Sequence, residues 1–217
     1  MHFIIPYRDR LEHWEQFQAA IIKHSVGKYE PVFWVMEQAE GLGFNRGAML
    51  NLGAEQVLAV DKYANIALHD VDMLPRERTN YDRGHFDFLH IATAASQFDY
   101  RMPYGDYFGG VVLTTPLNML SVGGFPMEFW GWGGEDDAFY HRVRAKTSKY
   151  GHRLNQLFDS LQHNRAILRS EHSKNVAILE QITNGNLMAG GCILNTESWD
   201  VKRVGYLCTN HFLCTPK

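Results

Sequence analysis

Two acidic groups stand out by residue type and spacing. Asp70-Val71-Asp72 closes the apolar run ANIALH, and in extended chain residues two apart face the same side, so both carboxylates would enter one site. Two hard oxygen donors at a strand end suit Mg²⁺ or Mn²⁺ and, through the ion, a diphosphate. The same three residues also read as a solvated loop start before Pro75. Glu135-Asp136-Asp137 follows Trp130-Gly131-Trp132-Gly133-Gly134. Three acids at a helix start complement the helix dipole and can cap its free N–H groups. That role needs neither paired tryptophans nor doubled glycines. Tryptophan faces suit the apolar face of a sugar, glycines let a loop close over one, and a shielded carboxylate there can act as a general base toward a hydroxyl.

Two basic-aromatic segments come next, Pro6-Tyr7-Arg8-Asp9-Arg10 and Phe44-Asn45-Arg46. A nucleotide could lie against such a ring while a guanidinium forks onto oxygens; surface salt bridging is the competing fate of any one arginine. His163 and His172 are the candidate metal ligands of the second half, and spacing does not choose between them or exclude a purely structural role. No GxxxxGK[ST] loop is present, Gly109-Gly110 lacks the helix that a dinucleotide fingerprint requires, and no G-x-S-x-G elbow supports a serine hydrolase.

The elements that must position these groups alternate. His2 to Pro6 reads as a buried strand, and Arg10 to His24 as a helix with Leu11, Trp14, Phe17, Ile21 and Ile22 on one face. Pro31 to Met36 is a second strand, and Asn45 to Val60 a helix with Met49, Leu52, Val57 and Val60 as core contacts. Ala64 to Leu68 is a third strand running straight into the Asp-rich segment, and a sheet of this kind binds ligands beyond the carboxyl ends of its strands. Residues 104–135 are rich in glycine and aromatics, and Asp136 to Ala145 returns to helix with Phe139 and Val143 on one side. The tail from Gly190 is strand-like and completes the sheet.

The 217 residues, 45% hydrophobic and 21% charged, suit one globular domain. A net charge of −3 with scattered basic residues leaves no footprint for nucleic acid or an anionic membrane. No signal-like or membrane-spanning run occurs in this chain. The expected setting is cytoplasmic, or the Golgi lumen if the chain is the catalytic part of a longer protein. Cys192, Cys208 and Cys214 are expected as free thiols, with one Cys208–Cys214 loop as the alternative.

In order, IIPYRDR, FNRGAMLNLGA, HDVDMLP, YFGGVVLTT and GGFPMEFWGWGGEDDAFYHRV resemble the β-1,4-galactosyltransferase family; residues 144–217 match loosely, through GGCILNTESWDVKRV. The resemblance implies an α/β, GT-A-type fold, a single domain with a central, mostly parallel mixed sheet flanked by helices. Residues 1–100 would form its nucleotide-binding half and 101–217 its acceptor-binding half. It implies an inverting, Mn²⁺-dependent transfer of galactose from UDP-galactose to a sugar hydroxyl, forming a β-1,4 linkage. UDP-N-acetylgalactosamine or UDP-glucose is the alternative donor, and a catalytically silent carbohydrate-binding protein the alternative class.

Carried over by residue, the resemblance places Pro6, Tyr7, Arg8, Arg10, Phe44 and Arg46 around the uridine. Asp70 and Val71 would support nucleotide and donor sugar, Asp72 would ligate Mn²⁺, and Trp132 would close over the donor. Asp136 matches the catalytic base, with Glu135 beside it. Tyr104, Trp130, Gly134 and Asp137 fall on the acceptor side. Tyr107 would crowd an acetamido group and so favour galactose. His163 fits the family's second metal ligand better than His172; Ser160 and Leu161 stand where a further ligand is usual, with Asp159 or water as the substitute. The acceptor is terminated by xylose, which HDVD and EDDAFYHR suggest, or by N-acetylglucosamine, which the doubled glycine of WGWGGEDD suggests.

Overall fold

The apolar opening forms β1 (His2–Tyr7), with Phe3, Ile4 and Ile5 fully buried. The structure is a computed structural model that describes residues 1–26, 30–162, 169–185 and 196–217. Alternate residues of β1 serve opposite faces: Ile4 enters one core, while Phe3, Ile5 and Tyr7 enter another. A strand buried on both faces is what a helix-covered, parallel sheet requires.

Helix α1 (Leu11–His24) covers the second face with Trp14, Phe17 and Ile21. Leu11, at its first residue, and Ile22, one step round the helix from Ile21, are 55% and 70% exposed, so the predicted apolar face is narrower than five residues. After the two-residue β2 (Ser25–Val26), β3 (Val32–Gln38) pairs in parallel with β1. Helix α2 (Arg46–Leu58) covers the first face with Met49, Leu52 and Val57. It stops before Val60, which is 66% exposed rather than a core contact.

β4 (Ile66–His69) pairs in parallel with the other side of β1. Its strand conformation ends before the Asp-Val-Asp segment, where Met73 N donates to Asp70 O (3.2 Å) across a turn at 71–72. The extended geometry expected there is therefore replaced by a tight turn. The short strands β5 (Met73–Pro75), β6 (Thr79–Asn80), β7 (Phe88–His90) and β8 (Ala94–Ala95) follow. Then come β9 (Val111–Thr114), α3 (Pro116–Val122) and α4 (Glu135–Lys146), whose Phe139 and Val143 are fully buried. β10 (Tyr150–His152), β11 (Leu157–Ser160) and α5 (Arg169–Thr183) lead to β12 (Trp199–Arg203) and β13 (Asn210–Pro216).

Eight of these strands form one mixed sheet in the order β10-β7-β9-β4-β1-β3-β13-β12, which draws strands from both residues 1–100 and 101–217. Its centre, β4-β1-β3-β13, is parallel throughout. β5, β11 and β8 form a small second sheet beside the Asp-Val-Asp turn. The tail completes the main sheet from Trp199 onward, while Gly190 and Cys192 lie outside the described residues. Cys208 and Cys214 are free thiols, the latter buried. No described helix is long and apolar enough to cross a membrane.

Candidate active site

The segments leaving the carboxyl ends of β1, β3 and β4 meet α4, α5 and the loop of residues 104–110 around one cleft of about 960 Å³. On its β1–β3 side, Arg8 Nη1 donates to Leu42 O (2.8 Å), and the guanidinium lies 5.1 Å over the Phe44 ring. The loop carrying Phe44 is shaped from below by Gln38. This buried side chain donates to Gly43 O (2.8 Å) and accepts from Asn45 N (2.6 Å). Asn45 in turn caps α2, its Oδ1 accepting from Ala48 N. Pro6 and Arg10 also line the cleft. Tyr7 does not: it alternates to the other face of β1, is buried, and meets His211 edge-on.

Arg46 opens α2 and reaches the acidic groups. Its Nε lies 2.6 Å from Asp70 Oδ1 and its Nη1 3.7 Å from Glu135 Oε1. Arg46 thus lines the cleft at a place between the two acidic motifs. Burial works against the Arg46 charge, but Asp70, Glu135 and Asp136 outweigh it and raise its pKa. The acids respond in the opposite sense. Burial pushes Asp70 up to about 6 against the pull of Arg46, Glu135 up to about 7 with help from Asp136, and Asp136 up to about 6 with help from Asp137.

The structure therefore brings both acidic motifs to one cleft. Asp70, Val71 and Asp72 line one part of it, with Arg10 Nη1 3.5 Å from Asp72 Oδ2. Gly134, Glu135, Asp136 and Asp137 line another, at the start of α4. Gly109 lies under Asp136: a Cβ built on it would stand 2.4 Å from Asp136 Oδ2 and 2.9 Å from the Tyr107 hydroxyl. Tyr107 lines the cleft edge-on to Phe98 and Tyr104, and Tyr104 OH donates to Asp137 Oδ1 (2.8 Å).

The two tryptophans part company around Gly131, whose φ of +74° is open mainly to glycine. Trp132 is half exposed and lines the cleft. Trp130 instead stacks on Trp199 (5.8 Å) and does not line it, so the acceptor-side place expected for its ring is not met. Helix α5 contributes Glu171, His172, Val176 and Leu179, none of which entered the sequence reading as cleft residues except His172 as a ligand candidate. Buried Asn175 donates to Trp130 O (3.0 Å) and Trp132 O (3.4 Å), tying α5 to the tryptophan loop. The signal for α5 in the sequence is the spacing of 172, 176 and 179; nothing local marks Asn175 or Gln38.

His163 lies outside the described residues. His172 lies beside Trp132, its Nδ1 3.5 Å from the Trp132 carbonyl oxygen. Asp159 accepts from Tyr100 OH (2.5 Å) and does not line the cleft, which removes it as a substitute ligand. Ser160 lines the cleft, its hydroxyl 3.4 Å from Met73 Sδ. Among the described residues no group of three or more His, Cys, Asp or Glu side chains gathers where a metal ion could be held. Asp70 and Asp72 still offer hard oxygens in a carboxylate-rich cleft, which suits a divalent ion that completes its shell with diphosphate oxygens.

Two family models match the chain: the N-terminal region of glycosyl transferase group 7 over residues 1–84, and the N-terminal domain of galactosyltransferase over residues 89–164. Mouse β-1,4-galactosyltransferase 1 is 36% identical over 146 residues, covering 66% of this chain and 36% of that protein. Human β-1,4-galactosyltransferase 3 is 44% identical over 120 residues, 54% of this chain and 30% of that protein. The chain thus spans about a third of the length of these relatives. The structure of Drosophila β1,4-galactosyltransferase 7, in a mutant form complexed with manganese, UDP-Gal and xylobiose, superposes with a TM-score of 0.67 at 23% identity. That match covers 99% of this chain and 92% of the other. Staphylococcus aureus TarS with UDP-GlcNAc superposes at 0.60 with 12% identity, over 87% and 68% of the two chains. At these identities the likenesses show the GT-A fold alone. The two group 7 models together span most of the chain, and it belongs to the β-1,4-galactosyltransferase family.

Proposed function

We propose that this chain transfers galactose from UDP-galactose to a hydroxyl of a glycan acceptor with inversion, forming a β-1,4 linkage. The observation that carries the reading is the single cleft that Asp70 and Asp72 share with Glu135, Asp136 and Asp137, with Arg46 reaching across between them. The nucleotide would lie along Pro6, Arg8, Arg10 and Phe44, with the Arg8–Phe44 stack as its platform. Asp70, Val71 and Tyr107 would face the donor sugar, where the Tyr107 ring, edge-on to Phe98 and Tyr104, would crowd an acetamido group.

In the proposed displacement the acceptor oxygen forms its bond to the anomeric carbon as the bond to UDP breaks. Asp136 takes the acceptor proton, and the bonding electron pair leaves on the phosphate oxygen. A base with a pKa of about 6 is ionised at neutral pH and still basic enough to assist. Glu135 and Asp137 flank it, and Tyr104 orients Asp137. Asp72, with His163, would hold Mn²⁺, which when bound supplies Lewis-acid neutralisation of the leaving diphosphate. Trp132, tied to α5 through Asn175, would cover the donor and limit its hydrolysis by water.

The relative complexed with manganese, UDP-Gal and xylobiose supports this donor and a sugar acceptor, terminated by xylose or by N-acetylglucosamine. The test is UDP release over a panel of donors and acceptors, with and without Mn²⁺. Metal-dependent release that requires UDP-galactose and a sugar acceptor is expected. Binding of glycans with no turnover on any donor would replace the enzyme with a lectin.

A further inference from the structure

Behind the Tyr107–Gly110 segment lies a pair of histidines for which the proposed reaction has no task. His90, the last residue of β7, is fully buried, and its Nε2 stands 2.8 Å from the carbonyl oxygen of Gly109. Its Nδ1 is 3.0 Å from Nδ1 of His152, its register partner on the neighbouring strand β10. These contacts determine where the protons sit. A carbonyl only accepts, so His90 carries its proton on Nε2 and accepts at Nδ1; His152 then donates from Nδ1. A second proton on His90 would oppose two N–H groups, and burial, together with the neighbouring imidazole, holds its pKa down at about 3.

What the pair holds is the Gly109 peptide. The Gly109 oxygen also accepts from Val111 N (2.9 Å), and the next carbonyl, of Gly110, accepts from Asp70 N (3.0 Å). On its other side Gly109 packs directly under the Asp136 carboxylate. The His90 ring meets Tyr107 edge-on at 5.3 Å. One turn of chain is therefore shared by Asp70, Tyr107 and Asp136, and it is anchored from behind by an imidazole of defined tautomer.

We propose that His90, held in register by His152, is a positioning residue that sets the Gly109 peptide and with it the spacing between Asp136 and the Asp70–Tyr107 wall. This rests on the galactosyl-transfer reading above. Neither histidine touches the reacting atoms, so the effect should appear in turnover rather than in donor affinity.

The test uses the whole chain with Mn²⁺, UDP-galactose and the acceptor that gives most transfer. His90→Phe should lower kcat on the order of 10²-fold while KM for UDP-galactose stays within about threefold. His90→Gln returns an N–H to the Gly109 carbonyl and should recover kcat to within about tenfold of the parent. His152→Phe, on the partly exposed edge strand, should lower kcat by about 3- to 10-fold. Should His90→Phe fail to fold, the other two variants carry the comparison. A His90→Phe protein with parental kcat, or a His90→Gln protein with less than a hundredth of it, overturns the inference. Histidine ¹⁵N resonances give a readout that needs no turnover: His90 protonated on Nε2, His152 on Nδ1, and His90 still neutral at about pH 5. A His90 proton on Nδ1, or titration near its ordinary value, overturns it too. If the parent chain transfers sugar to no acceptor, the functional reading falls, and these resonances still decide the pair.

Discussion

Arg46 Nε lies 2.6 Å from Asp70 Oδ1, so the first residue of α2 is pinned to the turn that follows β4. The same guanidinium reaches to 3.7 Å of Glu135 and is the cation about which the buried acids are arranged. Replacing it with methionine strands Asp70 beside Glu135. Arg46→Met should destabilise the fold by about 1.5–3 kcal/mol, the worth of a charged hydrogen bond, as measured by urea unfolding. Its transfer activity should fall more than about 10²-fold, and Arg46→Lys, which keeps charge but loses the fork, should lie between.

Asp136→Asn removes the proposed proton acceptor at nearly constant shape. Transfer should fall by about 10²–10⁴-fold, the usual worth of a general base, while calorimetric UDP binding in Mn²⁺ stays within about twofold. Undiminished transfer would eliminate Asp136 as the base.

The pH profile follows from the same group. Asp136 must be ionised to take a proton and has its pKa raised to about 6 by burial and Asp137. Then log kcat/KM should climb about one unit per pH unit below about 6 and level off above it. Because Arg46 pulls that pKa down, Arg46→Met should carry the limb to higher pH. A profile flat between pH 5 and 7 would contradict the assignment, on the order of a tenfold change being required.

Stability should show the opposite slope. Glu135 is raised in the folded state to about 7, above its ordinary 4.5. Its stabilising contribution is therefore full below the unfolded value and lost as pH rises through the folded one. Glu135→Gln should gain in Tm relative to the parent on going from pH 5 to pH 8 in EDTA, by roughly 2–4 °C per kcal/mol recovered. His69 and His90 act in the other direction. Burial lowers them to about 4 and about 3, so their contribution is present above 6.5 and lost as pH falls toward those values. The Tm advantage of the parent over His90→Gln should therefore shrink on going from pH 6 to pH 4, and an unchanged difference would contradict a neutral, buried His90.

Asn175→Ala removes the two hydrogen bonds that a buried α5 side chain makes to the Trp130 and Trp132 carbonyls. It should cost about 1 kcal/mol of stability. Because the Trp132 loop is then held less firmly to α5, donor hydrolysis relative to transfer should rise by at least about threefold. An unchanged ratio would mean that α5 does not control the loop.

Local pattern carries some of this protein and distant contact the rest. The β1, β3 and β4 strands were legible as apolar runs, α2 as a helix starting at Asn45, and the two acidic motifs as chemistry, because each depends on a few consecutive residues. The side a residue faces at an element's end was not. Tyr7 alternates away from the cleft, Trp130 and Trp132 diverge around Gly131, and the Asp-Val-Asp carboxylates share a wall through a turn rather than an extended segment. Arg46 stands two residues from Phe44 in the chain, yet Asp70, 24 residues on, captures it. His90 and His152 meet across 62 residues, and Asn175 reaches Trp130 across 45. Such partners are selected by where the sheet and helices place them, because a buried donor takes whichever acceptor the packed chain brings within reach, and that choice is made only when the whole core closes.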